Sequence, residues 1–186
     1  MTLPGRGLAE AGPRHSGTAP ERHNGPMLIG DTLGFLLGRW DLSRSYTDHR
    51  SGTRGSFEGQ AVVAMTGTGD AAAGPARARY EETGQLRLGS HEGPAQRGLE
   101  YARQADGTLM LYRAGGEPFV GLDLTSGAWH ASHLCGEDHY EISTVVESPD
   151  VVQEYWRVTG PAKDYSAVTT MRRARLPLDD RCRSGY

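Results

Sequence analysis

Cysteine is scarce in this chain. Two occur in 186 residues, Cys135 and Cys182, and Cys182 falls in a polar C-terminal stretch without a periodic apolar pattern, so a structural disulfide is not expected. No apolar h-region of a secretory signal opens the chain, which makes the reducing cytoplasm the expected compartment and Cys135 an expected free thiol. Apolar runs are short as well, none approaching the roughly 20 residues that a membrane helix requires. With 20 basic against 23 acidic side chains and a net charge of −3, no basic stripe exists for nucleic acid. Neither a membrane nor a nucleic acid is thus the expected partner, which leaves a small molecule. Aromatic residues reach 8% and apolar residues 37%, enough for one domain with a modest core. Long amphipathic helices, internal repeats and parallel crossover patterns are missing too, which disfavours helical and α/β classes.

Glycine and proline, by contrast, are plentiful at 26 and 10 residues. Residues 1–27 open with Gly-, Pro-, Arg- and His-rich sequence and read as a disordered tail, in which Met27 is a second candidate initiator that N-terminal sequencing would distinguish from Met1. Residues 28–176 read as the folded domain and 177–186 as a flexible tail.

Inside the domain, Leu33, Phe35, Leu36 and Leu37 cluster behind Asp31 and Thr32, the pattern of a short helical turn with an Asp or Thr cap, placed to plug one end of a barrel. Trp40, Leu42, Arg44 and Tyr46 then alternate with Asp41, Ser43, Ser45 and Thr47, a strand periodicity that puts an arginine on the tryptophan's face. Further β-like runs follow near residues 55–66, 76–83, 85–89, 97–105, 108–113, 118–124, 128–135, 139–147, 151–159 and 165–174. Breakers such as Asp70–Pro75, Thr83-Gly84, Gly115-Gly116 and Ser148-Pro149-Asp150 separate them. Hairpin-sized connections between short strands imply an antiparallel meander that closes on itself to remove its edges. The expected fold is all-β, an up-and-down antiparallel barrel of about 8–10 strands with a short N-terminal helix.

The chemistry concentrates in Trp129–Tyr140, which holds three histidines, both kinds of carboxylate, a thiol and a phenol. Alternation puts Ala131, His133 and Cys135 on one face. One reading is structural: a histidine satisfied by neighbouring hydroxyls and a small buried cysteine used as a hydrophobe. The other is functional, with His133 relaying protons and Cys135 ionising beside a cation. Asp138 and Tyr140 share a face, so that Asp138 either orients a histidine or caps the turn after Gly136. His130, His133, Cys135 and His139 are metal-ligand types. Their spacing works against a site, since His130 and His133 face opposite ways and His139 lies beyond a turn. No metal ligands and no cofactor are therefore assigned.

A second polar set, Arg44, Arg79, Glu82, Arg97 and Tyr101, sits in strand contexts. If Trp40 points inward so does Arg44, while Tyr80 and Glu82 share a face that leaves Arg79 to solvent. Arg44 with Glu82 reads first as a structural ion pair and second as a clamp for a ligand carboxylate or phenolate. Tyr46, on the Arg44 face, joins the candidate ligand contacts. Gly160-Pro161-Ala162-Lys163-Asp164-Tyr165 is a tight turn that borders a barrel mouth, where Lys163 and Tyr165 can close over an anion or remain solvated. Phe119 and Trp156, like Trp129 and Phe57, read as core or cavity lining.

Gly38-Arg39-Trp40 at the head of the first strand resembles the Gly-x-Trp signature of lipocalin-type barrels, a resemblance that implies a tryptophan floor beneath an arginine of the last strand, here Arg172 or Arg173. Leu36–Trp40, Tyr80–Gly84, His133–Tyr140 and Trp156–Tyr165 together resemble a small bacterial family of lipocalin-like domains of unknown function, across about residues 33–174. That likeness implies a fold and no agreed chemistry. Members often carry a second basic residue where this chain has Ala162.

These readings give three functional expectations. In the first, the barrel encloses a small, partly aromatic or anionic metabolite held by Arg44, Tyr46, Tyr80, Glu82, Tyr101, Phe119, Trp156, Lys163 and Tyr165. The second is a cofactor-independent enzyme, an isomerase, cyclase or hydrolase of secondary metabolism. His133 would then be general acid or base, Asp138 its orienting group, Tyr140 or Arg44 the stabiliser of developing charge, and Cys135 nucleophile or spectator. The third is metal or haem binding through His133. A homodimer through an exposed strand face is an ordinary option for a small β protein.

Overall fold

The structure, a computed structural model, describes residues 27–67, 69 and 74–175. The expected N-terminal tail up to residue 26, most of the breaker at Asp70–Pro75, Cys182 and the C-terminal tail lie outside the described residues. One short helix, α1 (Thr32–Leu36), precedes ten antiparallel strands. These are β1 (Gly38–Asp48), β2 (Arg54–Gly67), β3 (Arg77–Leu88), β4 (His91–Arg103), β5 (Leu109–Arg113), β6 (Pro118–Leu122), β7 (Ala128–Cys135), β8 (Asp138–Ser148), β9 (Val151–Thr159) and β10 (Asp164–Arg173). No helix among the described residues is long and apolar enough to cross a membrane.

The strand order is β6-β5-β4-β3-β2-β1-β10-β9-β8-β7, so chain neighbours pair throughout and β1 joins β10. The expected up-and-down barrel is what forms. Its hydrogen-bonded ladder is interrupted at one place, between β6 and β7, the two ends of the sheet. Side chains span that seam: the Phe119 and His133 rings lie 4.8 Å apart, and Arg113 Nη1 donates to Cys135 Sγ at 3.2 Å.

The two runs expected at 76–83 and 85–89 are a single strand, β3, and β4 begins at His91 rather than near residue 97. Thr83-Gly84 does not break the sheet because Gly84 stands directly opposite Gly59 of β2. A Cβ on Gly84 would lie 2.7 Å from both the Gly59 Cα and the Phe57 ring; the aromatic ring covers the pair of glycines and fills the side-chain space they leave empty. Pro94 is tolerated within β4 because β5 pairs only with Leu99–Arg103, leaving the earlier half of β4 without a partner on that side.

The lower end is shut by the plug that the sequence implies. Asp31 caps α1 by accepting the Leu33 amide at 3.1 Å, and Thr32 Oγ1 accepts the Leu124 amide at 3.0 Å. Leu33 and Leu36 pack on Trp40, which is 0% exposed and donates its indole N–H to Leu36 O at 2.8 Å. Of the two arginines that could cover this floor, Arg173 does so: its guanidinium carbon lies 4.1 Å from the Trp40 ring centroid, and it donates to the carbonyls of Leu37 at 3.0 Å and Phe35 at 2.8 Å. Arg172 is exposed. The opposite end, to which the β1–β2, β3–β4, β5–β6, β7–β8 and β9–β10 turns point, is the mouth.

Candidate functional site

Strand register sorts the inward side chains into tiers. Arg44 pairs with Thr169, Thr169 with Glu154, Glu154 with Thr144 and Thr144 with Trp129, which defines a polar middle tier. One tier closer to the mouth stand Tyr46, Ala167, Trp156, Ile142 and Ala131; above them come Tyr165, Val158, Tyr140 and His133. Alternate residues of every strand point inward, so the sequence pattern decides which groups face the lumen and the register decides which of them meet.

In the middle tier Arg44 and Glu82 are 6% and 4% exposed. They form a two-pronged ion pair, Nη1 to Oε1 at 2.8 Å and Nη2 to Oε2 at 2.9 Å. Arg44 Nε donates to Thr169 Oγ1 at 2.7 Å. Glu82 Oε2 also accepts from the Tyr80 hydroxyl at 2.5 Å and from Arg97 Nη2 at 3.1 Å. Burial opposes ionisation of Glu82, but the Arg44 hydrogen bonds, the charges of Arg97 and Arg44 and the Tyr80 hydroxyl outweigh it and hold the carboxyl down at about 2. Tyr80 and Tyr101 are pushed the other way, first by burial and then by nearby carboxylates, and remain phenols. Arg97 is less committed. Its guanidinium lies 5.8 Å from the Tyr80 ring and 5.7 Å from the Trp156 ring, and its buried Nε has no hydrogen-bond partner among the described residues.

Most of the lumen is filled by these side chains. The enclosed cavity measures about 50 Å³, room for a few water-sized groups. Arg44, Arg97, Glu154 and Trp156 line both that cavity and a cleft of about 100 Å³ above it, to which Tyr46 and Tyr165 contribute. A more open groove of about 400 Å³, bordered by Tyr46, Leu88 and Tyr165, continues outward. Arg97 and Glu154 thus stand at the neck between interior and mouth. Glu154 accepts the Trp156 indole N–H.

Against the β6–β7 seam lies an aromatic cluster. Phe119 stacks on Trp156 with centroids 5.7 Å apart and planes at 21°, while Tyr140 stands edge-on to both. The Arg113 guanidinium sits 4.5 Å from the Phe119 centroid, the position that a ligand cation would otherwise take. Lys163 Nζ contacts Asp138 Oδ2 at 2.6 Å and donates to the Tyr140 hydroxyl at 2.8 Å; Asp138 first, then Tyr140, raises the pKa of this lysine. The β9–β10 turn reaches Asp138 because Gly160 has no Cβ: one there would overlap the carboxylate. Burial, then the charge of Arg113, lowers the His133 pKa and keeps the imidazole neutral.

The candidate ligand contacts and acid–base groups therefore face one lumen or its rim. Arg44, Tyr80, Tyr101 and Trp156 line the enclosed cavity, and Glu82 is held beside them. Tyr46 and Tyr165 line the cleft. Phe119, His133, Tyr140 and Cys135 gather at the seam, and Lys163 joins Asp138 to Tyr140. Asp138 is paired with Lys163 rather than with His133. His139 meets the Ser132 hydroxyl at 2.7 Å and His130 the Ser143 hydroxyl at 3.0 Å, both at exposed positions, so these histidines do not converge with His133 and Cys135. No group of three His, Cys, Asp or Glu side chains disposed to hold a metal is found among the described residues. Arg79 faces solvent beside Glu81.

Sequence reasoning overlooked Glu154, Arg113 and Thr169. Their signals were present: Val152, Glu154, Trp156 and Val158 alternate inward, as do Leu109, Leu111 and Arg113.

The geometry defines a small antiparallel barrel, plugged at one end and open at the other, with a buried ion cluster beneath an aromatic mouth. The chain belongs to the Family of unknown function (DUF6314), whose sequence pattern covers residues 36–173. No curated protein matches it significantly. Among solved structures it is similar to the S-type phycobiliprotein lyase CPES from Guillardia theta, with 10% identity over 77% of this chain and 91% of that one and a TM-score of 0.45. A redesigned beta barrel, mFAP0, bound to DFHBI is similar at 11% identity, over 75% of this chain and 99% of that one, with a TM-score of 0.37.

Proposed function

We propose that the mouth of the barrel binds a small, partly aromatic organic molecule that lies beside Trp156, Tyr46 and Tyr165 and reaches Arg97 with a polar end group. The observation that carries this reading is the state of Arg97. It stands at the neck of a cleft with Nη2 on Glu82 and a buried Nε left unpaired. An orphaned buried donor costs about 1–3 kcal/mol, a penalty that argues for a role beyond packing. Apolar and aromatic walls with a few convergent polar groups are the usual make-up of a small-molecule site. A cavity of about 50 Å³ below the neck admits an end group and excludes a long acyl chain.

The test is an amide and indole NMR titration of the full chain with a library of flat aromatic fragments. Shifts centred on the Trp156 indole N–H and on Tyr46 and Tyr165 support the reading. Shifts centred elsewhere, or none, refute it.

A second reading rests on His133, a neutral imidazole facing inward between Phe119 and Tyr140. In that reading His133 is the general base of a cofactor-independent enzyme, and Tyr140, bonded by Lys163, stabilises developing negative charge. Its test is His133→Ala: turnover lost with ligand affinity retained supports the role, and unchanged turnover removes it.

A further inference from the structure

We infer that the neck selects a neutral end group that offers a hydrogen-bond acceptor and a donor side by side, a carboxamide or lactam, over a carboxylate. This rests on the proposed mouth site and specifies what reaches its bottom. The first support is charge balance. Four ionic side chains meet around the neck, the cations Arg44 and Arg97 and the anions Glu82 and Glu154, so no net positive charge remains for an anion. Arg44 moreover gives four of its five N–H donors to Glu82, Thr169 and Tyr46.

The second support is the pattern of unused hydrogen-bonding capacity. Arg97, with five N–H donors to place, gives Nη2 to Glu82. Glu154 receives the Trp156 indole N–H on Oε1, and a carboxylate has lone pairs to accept more. Both residues border the enclosed cavity and the cleft alike. A group that enters the neck therefore meets a guanidinium that donates and a carboxylate that accepts. A carboxamide answers both, its C=O taking from Arg97 and its N–H giving to Glu154. A carboxylate answers the first alone and sets its charge against Glu154, the repulsive element that makes a site selective.

Binding of naphthalene-2-carboxamide and naphthalene-2-carboxylate to the full chain, measured by Trp fluorescence and NMR at pH 7, tests this in the wild type and in Glu154→Gln. Glutamine keeps the shape and an acceptor for the Trp156 indole while removing the charge; near-UV circular dichroism checks the fold. The expected result is that the wild type prefers the carboxamide by at least about tenfold and that Glu154→Gln reverses the order. A wild type that prefers the carboxylate, or a ratio that Glu154→Gln leaves unmoved, overturns the inference while leaving the mouth site standing. If neither probe binds either protein, the mouth reading falls and the inference falls with it.

Discussion

Glu82→Gln changes one oxygen to nitrogen at the point where Arg44, Arg97 and Tyr80 converge, and its effect can be worked out from the pairing. At pH 7 the substitution leaves two buried or half-buried guanidinium groups without the anion they share. Breaking a buried pair from one side costs about 3–5 kcal/mol. Part of that loss is titratable. The Glu82 carboxyl, at 4.5 in the unfolded chain, falls to about 2 in the folded one, which corresponds to about 3 kcal/mol of linked stability. Because the folded value is the lower of the two, the contribution is complete above the unfolded value and disappears as the pH falls through the folded value. Between pH 5 and pH 3 the wild type should therefore lose about 2 kcal/mol that the variant does not. Urea unfolding of both proteins at pH 7, 5, 4 and 3 gives the difference directly, and the other acids cancel in it. A gap that stays constant with pH would show that Glu82 is not held ionised by its arginines, and the account of the middle tier would be wrong.

Two further predictions concern other tiers. Gly84→Ala should destabilise the fold by about 1–3 kcal/mol in urea, because the added methyl meets the Glu58 carbonyl oxygen as well as the Gly59 Cα and the Phe57 ring; a neutral effect would mean that the β2–β3 contact is loose. In an NMR pH titration His133 should ionise below 6.5, and Arg113→Gln should move its midpoint upward, since Arg113 is one of the two causes of the depression. An unmoved midpoint would separate the two side chains.

Alternation made the barrel wall legible, and with it the inward placement of Arg44, Glu82, His133 and Tyr140, because period 2 is a local property of each strand. The helical plug was legible through Asp31 because a cap and its helix are neighbours in sequence, whereas the Trp40 floor was implied by the resemblance of Gly38-Arg39-Trp40 to lipocalin-type barrels. What alternation cannot supply is the partner across the lumen. Whether Asp138 turns to His133 or to Lys163 depends on how closely the β9–β10 turn approaches β8, which Gly160 permits but does not announce. Arg113 was passed over because it ends a short strand, where a basic residue ordinarily reaches solvent. Thr83-Gly84 misled for a related reason. A glycine reads as a breaker until the glycine facing it, 25 residues earlier, is known.

The seam between β6 and β7 bears on how the lumen changes size. Around the rest of the circumference, widening the barrel means rupturing rows of backbone hydrogen bonds at once. At the seam it means parting side chains alone, the Phe119 ring from His133, Tyr140 and Trp156 and the Arg113 guanidinium from Cys135. The wall that carries Arg44 and Glu82 is laddered on both sides, so a change of calibre is met with least backbone resistance along this one line.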